Sequence, residues 1–145
     1  MKLPIKSSVV ILSLLTFGAG PALAADALTV VSWGGAYTKS QLEAYHKPYT
    51  AKFGTKIQSE DYNGGLAEVR AQVEAGKVTW DVIDVEVSDA VRGCDDGLFE
   101  TISSKSLPKG ANGDPAEKDF IPGALTECAV GSIVWSTIYA YDADK

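Results

Sequence analysis

LTVVSWGGAYTKSQ, residues 28–41, decides the fold. Leu28 to Val31 is a short continuous apolar run of the kind that parallel sheets bury on both faces. Ser32, Trp33, Gly34 and Gly35 end it, and from Tyr37 the pattern turns helical. Leu42, Tyr45, Tyr49 and Phe53 recur three and four residues apart, which predicts a helix over 37–53. Pro48 falls inside that helix and predicts a kink or a break there, with Gly54 as the stop. A strand running directly into a helix is the first half of a β-α-β unit.

The rest of the chain repeats the alternation. Lys56 to Ser59 reads as a second strand, and Asn63-Gly64-Gly65 as a turn or an anion-nest-like loop. Leu66 to Ala75 reads as a helix with Leu66, Val69 and Val73 on one face, closed by Gly76. Trp80 to Val85 is a third strand, followed by a helix from about Ser88 to Arg92. The pattern loosens from Gly93 to Gly123, and a strand signal returns over 133–141. The order predicts an α/β fold with a mostly parallel, right-handed sheet flanked by helices.

In such a sheet, ligands bind beyond the carboxyl ends of the strands. Ser32, Trp33, Gly34 and Gly35 lie at the end of the first strand. Glu60, Asp61 and Tyr62 follow the second, and Glu86, Val87 and Ser88 follow the third. Asp81 and Trp80 belong at the opposite end, where Trp80 is expected to pack. Glycines at 34 and 35 let backbone approach a ligand and expose N–H groups at a helix start. Trp33 offers a flat apolar wall or a cation–π face, and Tyr37 adds a second aromatic edge. Alternatively, Gly-Gly makes only a tight turn and Trp33 fills core.

The ends of the chain bear on where it works. Lys2 and Lys6, then an apolar run over 9–20, then Ala22-Leu23-Ala24, form the pattern of a signal peptide cleaved after residue 24. That predicts export to the periplasm. Cleavage leaves 121 of the 145 residues, one modest domain, and takes the net charge from -6 to -8. No basic cluster is present to neutralise phosphates, which argues against nucleic acid. In an exported chain two cysteines read as a Cys94–Cys128 disulfide. There is no C-x-x-C, and two distant cysteines with one histidine make no zinc site, so no metal or cofactor is expected. The dinucleotide, phosphate-loop and nucleophile-elbow motifs are absent. His46, the sole histidine, falls on a helix away from the strand ends as a surface or packing residue. Catalysis is therefore not expected, a small periplasmic hydrolase being the alternative.

Beyond LTVVSWGGAYTKSQ, the chain carries HKPYTAKFGTKI (46–57), GGLAEVRAQVEAGKVTWDVIDVE (64–86), GCDDGLFE (93–100) and ECAVGSIVWSTIYAYD (127–142). Together these resemble the periplasmic solute-binding proteins of ABC importers, of the polyamine (spermidine/putrescine)-binding type and its relatives. The resemblance implies a type II binding-protein fold of two α/β lobes closing on a solute, which a membrane permease then receives from a monomeric receptor. It implies that Trp33 and Tyr37 touch the solute, that the loop with Glu86 and Ser88 lines the same cleft, and that Trp135 and Ser136 approach the crossover. Glu86 would pair an ammonium group. Relatives of similar sequence bind iron, thiamine, phosphonates or amino-acid derivatives, so the solute stays open. Members usually exceed three hundred residues. The chain therefore reads as the first lobe, truncated near the crossover, with weak binding alone; a nonfunctional remnant is the further alternative.

Overall fold

The computed structural model describes residues 27–145; the signal pattern lies outside them. Three parallel strands form the sheet, in the order β2-β1-β3. They are β1 (Leu28–Ser32), β2 (Ile57–Asp61) and β3 (Val82–Ile83). The central strand pairs Leu28 with Ile57 through Ser32 with Asp61 on one side, and Val30 with Val82 on the other. Val31, its fourth residue, is fully buried between the two parallel neighbours. Glu60 and Asp61 are the last two residues of β2, where the sequence placed them just after it. Only Val82 and Ile83 of the expected 80–85 strand pair with β1.

A helical stretch from α1 (Gly35–Gln41) to α2 (Lys47–Phe53) follows β1. Between them Leu42–His46 forms a π turn, in which the Lys47 N–H reaches the Leu42 carbonyl. Pro48 cannot donate to Ala44, and its ring crowds that carbonyl; one wide turn ahead of it absorbs the conflict, so the helix does not break. The extra residue changes which side chains face inward. Thr38, Gln41 and His46 are buried, spaced three and then five apart, while Tyr45, Tyr49 and Phe53 are exposed. The expected apolar stripe therefore faces outward. Tyr49 and Phe53 pack on each other instead, their rings 4.7 Å apart and tilted at 44°.

The inward residues are polar, and each finds a partner on the sheet or just beyond it. Thr38 donates to Asp61 (2.9 Å), His46 pairs with Ser59 (3.0 Å), and Gln41 donates to Asp84 beyond β3 (2.5 Å). Ser59 and Asp61, two apart on one strand, present to the same face, so the helix lies across that face.

Helix α3 (Ala67–Glu74) joins β2 to β3, with Leu66 and Val69 buried. Helix α4 (Val87–Asp95) follows β3, burying Ala90 and Gly93. Beyond it the chain folds back, with the Phe99 ring so close to Gly93 that a Cβ there would lie 2.3 Å from Cε2. A Cys94–Cys128 disulfide ties the later loops to α4, and an Ile102-to-Glu127 backbone bond (2.7 Å) joins two of those loops to each other. A 3-10 turn (Ser104–Ser106) and the short α5 (Ala116–Asp119) complete the elements. Residues 133–141, expected as a strand, pair with nothing; Ile138, Tyr139 and Tyr141 are at least 80% exposed. A strand needs a neighbour for its backbone groups, and β3, at the sheet's open edge, does not supply one to this segment.

Candidate ligand-binding site

The backbone leaves β1 through Gly34, at φ 83°, a conformation that a side chain would strain. Its N–H donates to the Thr38 hydroxyl (2.9 Å), which in turn donates to Asp61. Asp61 sits so close that a Cβ on Gly34 would lie 3.0 Å from Oδ2. Asp61 thus braces the helix start from within the protein, and this loop geometry aims Trp33 away from the core and toward Tyr37. The two rings lie 5.5 Å apart at 33°.

Trp33, Tyr37, Glu86, Ile133 and Trp135 line one cleft of about 340 Å³. Three segments converge there: the β1–α1 loop, the residue before α4, and residues 133–135. Glu86 lies at the start of α4 in extended conformation, exposed, and is the one carboxylate among the lining residues. The lining is otherwise aromatic and aliphatic. A cation on a short carbon chain would find there both a counter-charge and flat walls for its methylenes.

Behind the lining lies a polar layer. Tyr62, just past β2, donates its hydroxyl to the Asp84 carbonyl. Burial pushes the Tyr62 phenol up to about 12, opposed by the Trp33 indole and reinforced by the charges of Asp84, Asp89 and Glu86. Burial likewise raises Tyr37, opposed by the polar Ser132 and Gln41 side chains, with the Asp84 charge adding to the rise. Both phenols stay neutral donors at any physiological pH. His46 is pushed down by burial, against the pull of Asp84.

Of the residues singled out in the sequence, Trp33, Tyr37, Glu86 and Trp135 meet at the cleft. Ser32 is buried beneath it, its Oγ without a hydrogen-bond partner. Gly34 and Asp61 brace each other behind the loop, and Gly35 is exposed. Ser88 and Ser136 are exposed and do not line the cleft. Trp80 packs as expected, but its ring reaches Tyr62 edge-on at 5.8 Å and its N–H donates to Glu60. Sequence reasoning missed Asp84, Gln41 and Ile133, and placed Tyr62 on the rim without a role. The signal for Asp84 was available: a carboxylate at the carboxyl end of an apolar strand. His46 is enclosed against Ser59 and does not reach the cleft. Among the described residues, no group of His, Cys, Asp or Glu side chains could hold a metal ion, and no helix is long and apolar enough to cross a membrane.

A family model described as bacterial extracellular solute-binding protein matches residues 44–145. The chain belongs to that family. It is 43% identical over 131 residues to the gamma-aminobutyric acid-binding protein of Pseudomonas aeruginosa, covering 90% of the chain and 35% of that relative. It spans about a third of the relative's length. Among solved structures, it resembles the binding protein MotA from A. tumefaciens B6 in complex with glucopine. There the identity is 26% and the TM-score 0.60, over 70% of this chain and 29% of that one. A solved GABA receptor gives 32% identity and a TM-score of 0.51, over 54% of this chain and 24% of that one. These likenesses establish the binding-protein fold over part of a lobe. The relatives' names carry γ-aminobutyrate and an opine; none carries a polyamine.

Proposed function

We propose that the chain forms one wall of the solute cleft of a periplasmic receptor that serves an ABC importer's permease. The solute we infer is a small amino-acid-like compound of the γ-aminobutyrate class. The observation that carries this reading is the meeting of Trp33, Tyr37, Glu86 and Trp135 around a single cleft. γ-Aminobutyrate and putrescine share an ammonium group on a short methylene chain, so this wall suits either. Two observations favour the former: one carboxylate lines the cleft, enough for one ammonium, and the 43%-identical relative is named for γ-aminobutyrate. A dication would want a second acid at its far end. The solute's carboxylate would be met from a second lobe, as would the rest of its surface, so affinity for the chain alone is weak.

Isothermal titration of the full chain against γ-aminobutyrate, putrescine and butyrate tests this. The expected result is weak saturable heat with γ-aminobutyrate, less with putrescine, none with butyrate, and loss of the signal in Trp33→Ala. Equal response to butyrate would remove the ammonium from the account. Putrescine binding as well as or better than γ-aminobutyrate would return the polyamine reading, and submicromolar affinity would remove the need for a second lobe.

A further inference from the structure

The long helix rests on the sheet with its polar side. Thr38, Gln41 and His46 are buried, while Tyr45, Tyr49 and Phe53 on the outer side are 57%, 41% and 58% exposed. The three rings follow one another at four-residue spacing and form a row along a convex ridge, with Tyr49 and Phe53 in contact. Between Trp33 and Ser59 the sequence holds four lysines, at 39, 47, 52 and 56, and a single acid, Glu43, within a chain of net charge -6. All four lysines are exposed. Lys47 pairs with Glu43, Lys52 stands 5.0 Å from the centre of the Phe53 ring, and Lys56 follows just beyond. The Lys56 carbonyl accepts from the Leu28 N–H at the start of β1. This end of the ridge therefore lies at the amino edge of the sheet, opposite the cleft that Trp33 begins at the carboxyl edge.

We propose that this ridge docks on an anionic phospholipid surface, the rings entering the headgroup boundary and the lysine ammonium groups meeting lipid phosphates. Aromatic rings settle at headgroup level, and lysine stems lie along apolar surface while their charged ends stay in the polar layer. Each lysine held near an anionic leaflet adds to the attraction. A second copy of the chain suits the ridge less, because two-fold pairing would set the same lysines against each other. The lysines form no continuous basic run. Interleaved with rings, they match a layer that is charged outside and apolar just beneath. Ridge and cleft lie at opposite edges, so the chain docks with its cleft open to solute. What docking serves, a receptor held beside its permease, rests on the function proposed above; the docking itself does not.

The test floats the full chain with vesicles of phosphatidylcholine mixed with phosphatidylglycerol, and with vesicles of phosphatidylcholine alone. The chain should float with the mixed vesicles and stay behind with the neutral ones. Lys52→Glu with Lys56→Glu should weaken binding by more than about tenfold, and Tyr49→Ser with Phe53→Ser by about tenfold. Spin-labelled phospholipid in bicelles of the mixed composition should broaden the Tyr49 and Phe53 ring signals before the Trp135 indole signal. Parent-like binding by the two double variants would assign the binding to another surface, such as the apolar run at 9–20, and overturn the proposal. Absence of binding to mixed vesicles overturns it, as does a vesicle-free dimer that Phe53→Ser dissolves, which would make a second copy the occupant. Should the ring variant fail to fold, the lysine variant and the broadening decide. A parent chain that ignores γ-aminobutyrate would defeat the proposed function alone, since vesicle binding is read without solute.

Discussion

Residues 27–95 and residues 96–145 are held together by different means. The first region has a sheet, the long helix over 35–53, α3 and α4, and hydrogen bonds from each inward residue of the long helix to β2 or to the residue after β3. The second contains two short helical turns and one isolated bridge, Leu125 with Val130. It is moored to the first by the Cys94–Cys128 bond and by Phe99 on Gly93. Two of its residues, Ile133 and Trp135, nevertheless complete the cleft that the first region begins. The site therefore joins a wall fixed by packing to a wall fixed by tethers. The difference teaches that the cleft's two sides should respond separately to perturbation.

The largest effect should follow from cutting the tether. With a sequence separation of 34, the chain-entropy account gives a loss of roughly 3.5 to 4 kcal/mol for Cys94→Ser with Cys128→Ser. Limited proteolysis should then cut beyond residue 96 well before it reaches the sheet. Simultaneous digestion of both regions would break the comparison. Next comes Gly34→Ala, which places a Cβ at φ 83° and 3.0 Å from the Asp61 carboxylate. We expect about 1–3 kcal/mol of destabilisation in chemical denaturation, felt in the first region.

A smaller, pH-dependent effect should come from His46. Burial lowers its folded-state value beneath the ordinary 6.5, so the unfolded chain takes up this proton first. This contribution is present above 6.5 and is lost as pH falls from there through the lower folded value. Melting temperature measured downward from pH 7 should drop in that window, and His46→Gln should flatten the drop. A flat profile in the parent would show that His46 is not enclosed. The smallest effect belongs to Lys47→Ala, which removes an exposed pair with Glu43 and should cost at most a few tenths of a kcal/mol by thermal melting.

The two regions also differ in how far they could be read from sequence. The apolar run at 28–31, the Gly-Gly handover and the helix–strand alternation were legible because they are local patterns. Trp33, Tyr37 and Glu86 could be placed together from topology alone, since strand ends of one parallel sheet share an edge. The inward face of the long helix was not legible. A π turn at 42–46 shifts the buried position from Tyr45 to His46, and the propensities that read Leu42, Tyr45 and Tyr49 as a stripe carry no sign of that insertion. Residues 133–141 have strand composition, but a strand also depends on a neighbour that local pattern cannot supply. Asp84 stayed hidden for a third reason: its partners, Gln41 and Tyr62, are 43 and 22 residues away.

The chain has three tryptophans, at 33, 80 and 135, and they make the most direct test of the cleft. In a ¹H–¹⁵N titration of the full chain with γ-aminobutyrate, the Trp33 and Trp135 indole signals should shift together along one saturation curve. Trp80, engaged with Glu60 away from the lining, should move far less. Static Trp33 and Trp135 signals at saturating solute, or a response led by Trp80, would contradict the cleft as the place of binding.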